Sequence, residues 1–111
     1  MRAFEDALAA GADMLETDTR ATQDGLALAF HDEDLLRVAG DERRIEEISA
    51  REAGSIRLAG DEPLAMLEDV LATFTDVPIN VDIKASSAIG PAVAAIARTR
   101  SADRICVAGF D

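Results

Sequence analysis

Five side chains in this 111-residue sequence are of types that handle charge and protons, and they fall at spacings that share strand faces: Glu16, Asp18, His31, Asp82 and Lys84. Side chains alternate across a strand, so Glu16 and Asp18 point to one face while Leu15, Thr17 and Thr19 point to the other. In the stretch 79–84, Ile79, Val81 and Ile83 form an apolar face, and Asn80, Asp82 and Lys84 form the opposite one. His31 ends the apolar run that starts at Leu26 and shares its face with Ala27 and Ala29.

Three converging carboxylates repel one another, and a divalent cation removes the conflict. Oxygen-only ligation by Glu16, Asp18 and Asp82 favours Mg2+ or Ca2+ over zinc. Lys84 adds a point charge suited to an anionic oxygen, and it is the single lysine beside ten arginines. Histidine is the residue type suited to proton transfer near neutral pH, so His31 can act as general acid or base. A metal, a lysine and a histidine together suit a phosphoester. Arg20, Asp32 and Asn80 stand at the margin of the set. Arg20 reads as an ion-pair partner or substrate contact, Asp32 as a turn residue or partner of His31, and Asn80 as a hydrogen-bond partner for a neighbouring strand. Cys106, the only cysteine, reads as a small core residue and excludes an intrachain disulfide.

The elements that must position these groups alternate in type. Phe4, Ala7 and Leu8 form a helical stripe stopped by Gly11. Met14 to Thr19 read as a strand, Asp24-Gly25 as a turn, and Leu26 to His31 as a strand buried on both faces. Asp32 to Glu47 is rich in charge and weak in period, an excursion with a solvated acidic run from Asp41 to Glu47. Ser49 and Glu52 make a capping box for a short helix ended by Gly54. Leu64, Leu67, Val70, Leu71 and Phe74 predict an amphipathic helix after Pro63. Ile79 to Lys84 read as a strand, Ile89, Val93 and Ile96 as a helix with Pro91 in its first turns, and Ile105 to Phe110 as a last strand. Strands alternating with helices predict an α/β fold of parallel βα units. No glycine-rich turn follows the first strand, so part of a (β/α)8 barrel is preferred over a nucleotide-binding sheet. In such a barrel the polar groups, at the C-terminal ends of their strands, would ring the mouth.

Composition narrows the partners. The net charge of -11 and the pI of about 4.3 oppose binding to nucleic acid or an anionic membrane surface. No apolar run approaches a membrane span and no leader is visible, so the default location is the cytoplasm, unless a leader precedes Met1.

Read in order, the segments resemble the glycerophosphodiester phosphodiesterase family. They are Phe4 to Asp13, Glu16-Thr17-Asp18-Thr19-Arg20, Asp24-Gly25 and Phe30-His31-Asp32. Pro63-Leu64 with Leu67 to Leu71, Ile79 to Lys84, and Gly109-Phe110-Asp111 continue the series. The resemblance implies a partial TIM-type barrel of the phospholipase C-like phosphodiesterase kind. It also implies hydrolysis of glycerophosphodiesters to an alcohol and glycerol 3-phosphate. Glu16, Asp18 and Asp82 would be metal ligands, His31 one of two acid/base histidines, and Lys84 the residue that steadies the phosphate. Residues from about 32 to 62 would be the family's insertion beside the mouth.

Three departures accompany the resemblance. The family's first-strand histidine-arginine-glycine motif and the glutamate-asparagine motif after it have no counterpart, so His31 stands alone. Asp82 replaces a longer glutamate. A complete barrel needs about 250 residues. The expectation is therefore an incomplete catalytic domain, inactive or nearly so by itself, with open edges at its first and last strands that favour self-association. Two other readings fit the same residues: a lyase like sphingomyelinase D, and a non-catalytic half-barrel that assembles with a partner.

Overall fold

The computed structural model describes residues 2–58 and 61–109. In chain order the elements are helix α1 (Arg2–Ala9), strands β1 (Leu15–Ala21), β2 (Ala27–Ala29) and β3 (Asp34–Leu35), the single-turn α2 (Leu36–Ala39), and β4 (Asp41–Arg44). Then come α3 (Ala50–Ser55), β5 (Arg57–Leu58), β6 (Glu62–Pro63), α4 (Leu67–Thr73), β7 (Ile79–Ile83), α5 (Ile89–Arg98) and β8 (Ile105–Ala108). The predicted strand end at Phe110 and the motif residue Asp111 lie outside the described residues.

The main sheet has the order β2-β1-β7-β8. β1, β7 and β8 are parallel, as expected of βα units, and β2 runs antiparallel to β1. The short link from β1 to β2 dictates that reversal, because a parallel return needs a crossover of a dozen or more residues. Thr22 builds the turn: its hydroxyl donates to Asp24 Oδ1 (2.7 Å) and accepts from Leu26 N (3.0 Å). Gly25 takes φ +89°, which a side chain would resist. The expected open edge at the first strand is therefore half covered. β2 pairs with Thr19, Arg20 and Ala21, and the sheet edges are β2 and β8.

Leu15 and Ala21 of β1 and Ile79, Val81 and Ile83 of β7 pack in one core with residues of α4 and α5, and Thr17 and Thr19 are buried too, while Glu16, Asp18, Asn80 and Asp82 are not buried. α5 meets the sheet through Ala92 and Ala95, with Ala88 buried at its N-cap, and Ile89 and Val93, expected in its core stripe, are about half exposed. Small side chains let the helix backbone lie close to the strands. The larger residues one position on then point away.

A second core lies beyond β2. Leu28, Leu35, Ile45, Ile48, Ala53, Ile56 and Leu64 pack together, so the charged excursion after His31 has a hydrophobic centre of its own. Leu64 belongs here and not to the helix it was expected to open. α4 starts at Leu67. Ala27 packs in the first core and Leu28 in the second, which explains why this strand is apolar on both faces. The capping box of α3 is formed, with Ser49 and Glu52 each bonding the other's backbone N–H. Gln23 N donates to Ile48 O (2.9 Å) and Ala50 N to Asp24 Oδ1 (2.8 Å), tying this lobe to the β1–β2 turn.

The C-terminal end of α4 is held by one side chain. Arg104 donates to Leu71 O (2.5 Å), Phe74 O (2.8 Å), Val77 O (3.2 Å) and Ser101 Oγ (3.1 Å). Leu71 and Phe74 lie at the end of α4, where carbonyls have no intrahelical partner, and Val77 is in the loop beyond. Arg104→Ala is expected to cost about 2 kcal/mol, the scale of part-buried hydrogen bonds to a charged group. Urea unfolding checks this: the midpoint should fall, and should fall for Arg104→Lys as well, which keeps the charge but not the fork. An unchanged midpoint in both variants would contradict the role.

Candidate functional site

Parallel pairing aligns the polar faces residue by residue. Glu16 is the register partner of Asn80, and Asp18 of Asp82. On the other side of β7, Cys106 sits beside Asn80 and Ala108 beside Asp82. The helices cover the opposite side of the sheet, so this face is open. It forms a cavity of about 350 Å³ lined by Glu16, Thr17, Asp18, Asn80, Asp82, Cys106 and Ala108.

Cys106 is exposed here, contrary to its reading as a core residue. It falls on the polar face because β8 continues the alternation of β7, and among the described residues no strand pairs with the far side of β8. The missed signal was register. Once Ile105 aligns with Ile79, Cys106 must share the side of Asn80.

Lys84 lies just past the end of β7, fixed by its own N–H, which donates to Thr19 O at 3.1 Å. Its ammonium reaches Asp82 Oδ2 at 2.9 Å and Asp18 Oδ1 at 3.6 Å. It thus bridges two carboxylates on neighbouring strands. The hydrogen bond from Lys84 to Asp82, followed by the charge of Asp18, raises the lysine pKa above its ordinary 10.5. The group is a cation throughout the physiological range.

A second polar group lies at the end of β2. Phe30 N donates to Asp18 O at 2.9 Å, which joins it to the first group through the backbone of β1. Arg20, two residues beyond Asp18, turns its guanidinium to His31 O (2.8 Å). The His31 Nδ1 atom is 2.8 Å from Asp32 Oδ1, and Arg37 donates through Nε to Asp32 Oδ2 (2.7 Å). Arg37 was not singled out in the sequence. Its place on a single helical turn facing back to Asp32 is set by Gly40 and Asp34, which sequence spacing does not reveal. Of the predicted residues, Glu16, Asp18, Asn80 and Asp82 share the cavity and Lys84 spans two of them. His31, Asp32 and Arg20 form the adjoining group and are not among the cavity's lining residues.

The donor set of Glu16, Asp18 and Asp82 is all oxygen, and its chemistry fits a hard divalent cation. Among the described residues no three acidic, histidine or cysteine side chains are gathered into a metal-holding group. In this arrangement two of the three carboxylates, Asp18 and Asp82, are turned on the Lys84 ammonium instead.

Comparison with known proteins gives one answer. The model of the glycerophosphoryl diester phosphodiesterase family matches residues 1–111. A probable glycerophosphodiester phosphodiesterase of Mycobacterium tuberculosis is 36% identical over 110 residues, covering 99% of this chain and 42% of the relative. A human lysophospholipase D is 31% identical over 100 residues, covering 78% of this chain and 32% of the relative. Among solved structures, a glycerophosphodiester phosphodiesterase from Thermotoga maritima superposes with a TM-score of 0.84 at 28% identity, over 99% of this chain and 46% of that one. One from Agrobacterium tumefaciens superposes at 0.89 with 19% identity, over 99% and 51%, and speaks for the fold. The chain spans about half the length of these structures, and the fold is a partial (β/α)8 barrel.

The ion pairing of Lys84 can be read directly, because it is the single lysine. A lysine-selective 13C label should give one side-chain titration with its midpoint above 10.5, returning toward 10.5 in Asp82→Asn. The sign follows from linkage. With the folded pKa raised, the stabilisation is fully present below the unfolded pKa and is lost as pH rises through the folded one. A wild-type midpoint at or below 10.5 would exclude the bridge.

Proposed function

Because this chain belongs to the glycerophosphoryl diester phosphodiesterase family, we propose that its polar sheet face is the phosphodiester-binding and hydrolytic site. The substrate class is a glycerophosphodiester, and the products are an alcohol and glycerol 3-phosphate. The observation that carries this reading is the Asp18–Lys84–Asp82 bridge, which joins the middle of β1 to the C-terminal end of the parallel strand β7. A cation is held between acidic groups at the place where barrels bind their substrates.

Each residue has a role that its chemistry supports. Lys84 meets a non-bridging phosphate oxygen, where a fixed ammonium counters charge as it develops. Glu16, Asp18 and Asp82 would hold a divalent cation, Mg2+ or Ca2+, which supplies a second positive charge for the phosphate. His31 moves a proton to or from the reacting oxygens. Arg20 and Asn80 orient their neighbours, Arg20 through the His31 carbonyl. Residues from about 32 to 62 would be the insertion beside the mouth, and their described part is tied to the β1–β2 turn through Ile48 and Ala50. As His31 is the only histidine in the chain, acid and base cannot both be histidine within these 111 residues. Turnover by this chain alone should therefore be very low.

Calorimetry with Mg2+ and with Ca2+ tests the reading. The expected outcome is saturable binding of one ion, lost in Asp18→Ala and retained in Glu5→Ala, an exposed acidic residue of α1. Glycerophosphodiester added to the loaded protein should bind more weakly in Lys84→Met, by about tenfold or more for loss of a charge-assisted contact. No ion binding by a folded chain would remove the metal from the proposal, and undiminished substrate binding in Lys84→Met would remove the phosphate role of that lysine.

A further inference from the structure

We propose that Arg37 is a positioning residue for His31, acting through Asp32 to hold the imidazole with its proton on Nδ1 and to leave Nε2 for proton transfer. The inference rests on the reading of His31 as the acid/base group and adds a residue and an orientation to it.

The contacts form a chain. Arg37 Nε donates to Asp32 Oδ2 (2.7 Å) and its NH2 group to Asp32 Oδ1 (3.2 Å), while Oδ1 also lies 2.8 Å from His31 Nδ1. Two bonds from a rigid fork fix the plane of the carboxylate, which a single point charge would not do. The middle member is the sheltered one: the Asp32 side chain is 18% exposed, against 65% for His31 and 70% for Arg37. An ionised carboxylate only accepts hydrogen bonds, so the hydrogen in the His31–Asp32 contact belongs to Nδ1. The bond from Arg37 first, and that from His31 second, hold the Asp32 pKa down at about 2. Asp32 is therefore ionised wherever an imidazole titrates.

The surroundings are built for this orientation. Arg20 fixes the His31 carbonyl at 2.8 Å. Leu36 N donates to Asp34 Oδ1 (3.0 Å) to start α2, and Gly40, at φ +66°, closes it by donating to Leu36 O. That single turn aims Arg37 back across the loop. The neighbouring acid, Glu33, is engaged by Arg44 at 3.5 Å and does not compete for Arg37. An exposed ion pair adds little to stability, so stability alone gives the fork no purpose. Fixing one imidazole tautomer does.

Because His31 is the only histidine, its ring nitrogens can be assigned without ambiguity in long-range 1H–15N spectra of the 15N-labelled chain, recorded where the ring is neutral. Wild type should show Nδ1–H as the dominant tautomer. Arg37→Ala and Asp32→Asn should lose that dominance, and Arg37→Lys should fall between. Backbone amide spectra confirm folding, and Arg37→Gln serves if Arg37→Ala does not fold. A wild-type ring protonated on Nε2, or a folded Arg37→Ala or Arg37→Gln with the wild-type tautomer balance, would overturn the inference. The readout needs no substrate. Failure of phosphodiester binding with the tautomer result intact would count against the hydrolase reading and not against this contact chain.

Discussion

Parallel pairing of β1 with β7 sets Asp18 and Asp82 side by side on one face of the sheet. Like charges opposite one another on neighbouring strands weaken the pairing, and a cation between them offsets that cost. Lys84 is that cation, and it is held in place by the backbone hydrogen bond from its own N–H to Thr19 O. The sheet thus carries a pair of like charges bridged by one side chain, where β7 ends beside the middle of β1.

The two hydrophobic cores explain why that face can stay polar. All the apolar side chains of β1 and β7 point to the helices, and the close packing of Ala88, Ala92 and Ala95 seals that side. β2 then serves both cores at once, with Ala27 on one side and Leu28 on the other. Anchored through Gln23, Asp24 and the Glu46–Ser87 hydrogen bond (3.1 Å), the lobe after β2 is fixed relative to the loop that follows Lys84. The position of His31 at the junction of strand and lobe follows from this arrangement.

Electrostatics give the site its contrast. A chain of net charge -11 repels anions on average. Around the polar face and its neighbour, however, Lys84, Arg20 and Arg37 are placed within hydrogen-bond reach of acidic or carbonyl oxygens. Local cations held by carboxylates are rigid, and rigidity is what a site needs if its charge is to act without reorganising.

The sequence by itself determined the alternation that separates Glu16, Asp18, Asn80 and Asp82 from the apolar residues between them, because strand geometry has a period of two whatever the context. It also determined the Ser49–Glu52 cap and the Asp24-Gly25 turn, whose partners lie a few residues apart. Only the tertiary structure decided which strand lies beside which, and hence that Asp18 meets Asp82. It also decided that Cys106 faces the cavity, that Leu64 joins the second core, and that Ile89 and Val93 point away from the sheet. The sharing of Asp32 between His31 and Arg37 belongs with these, since the path of the chain after β2 brings Arg37 back. Each depends on contacts between segments distant in the chain or on a loop's path, and local periodicity carries no information about either.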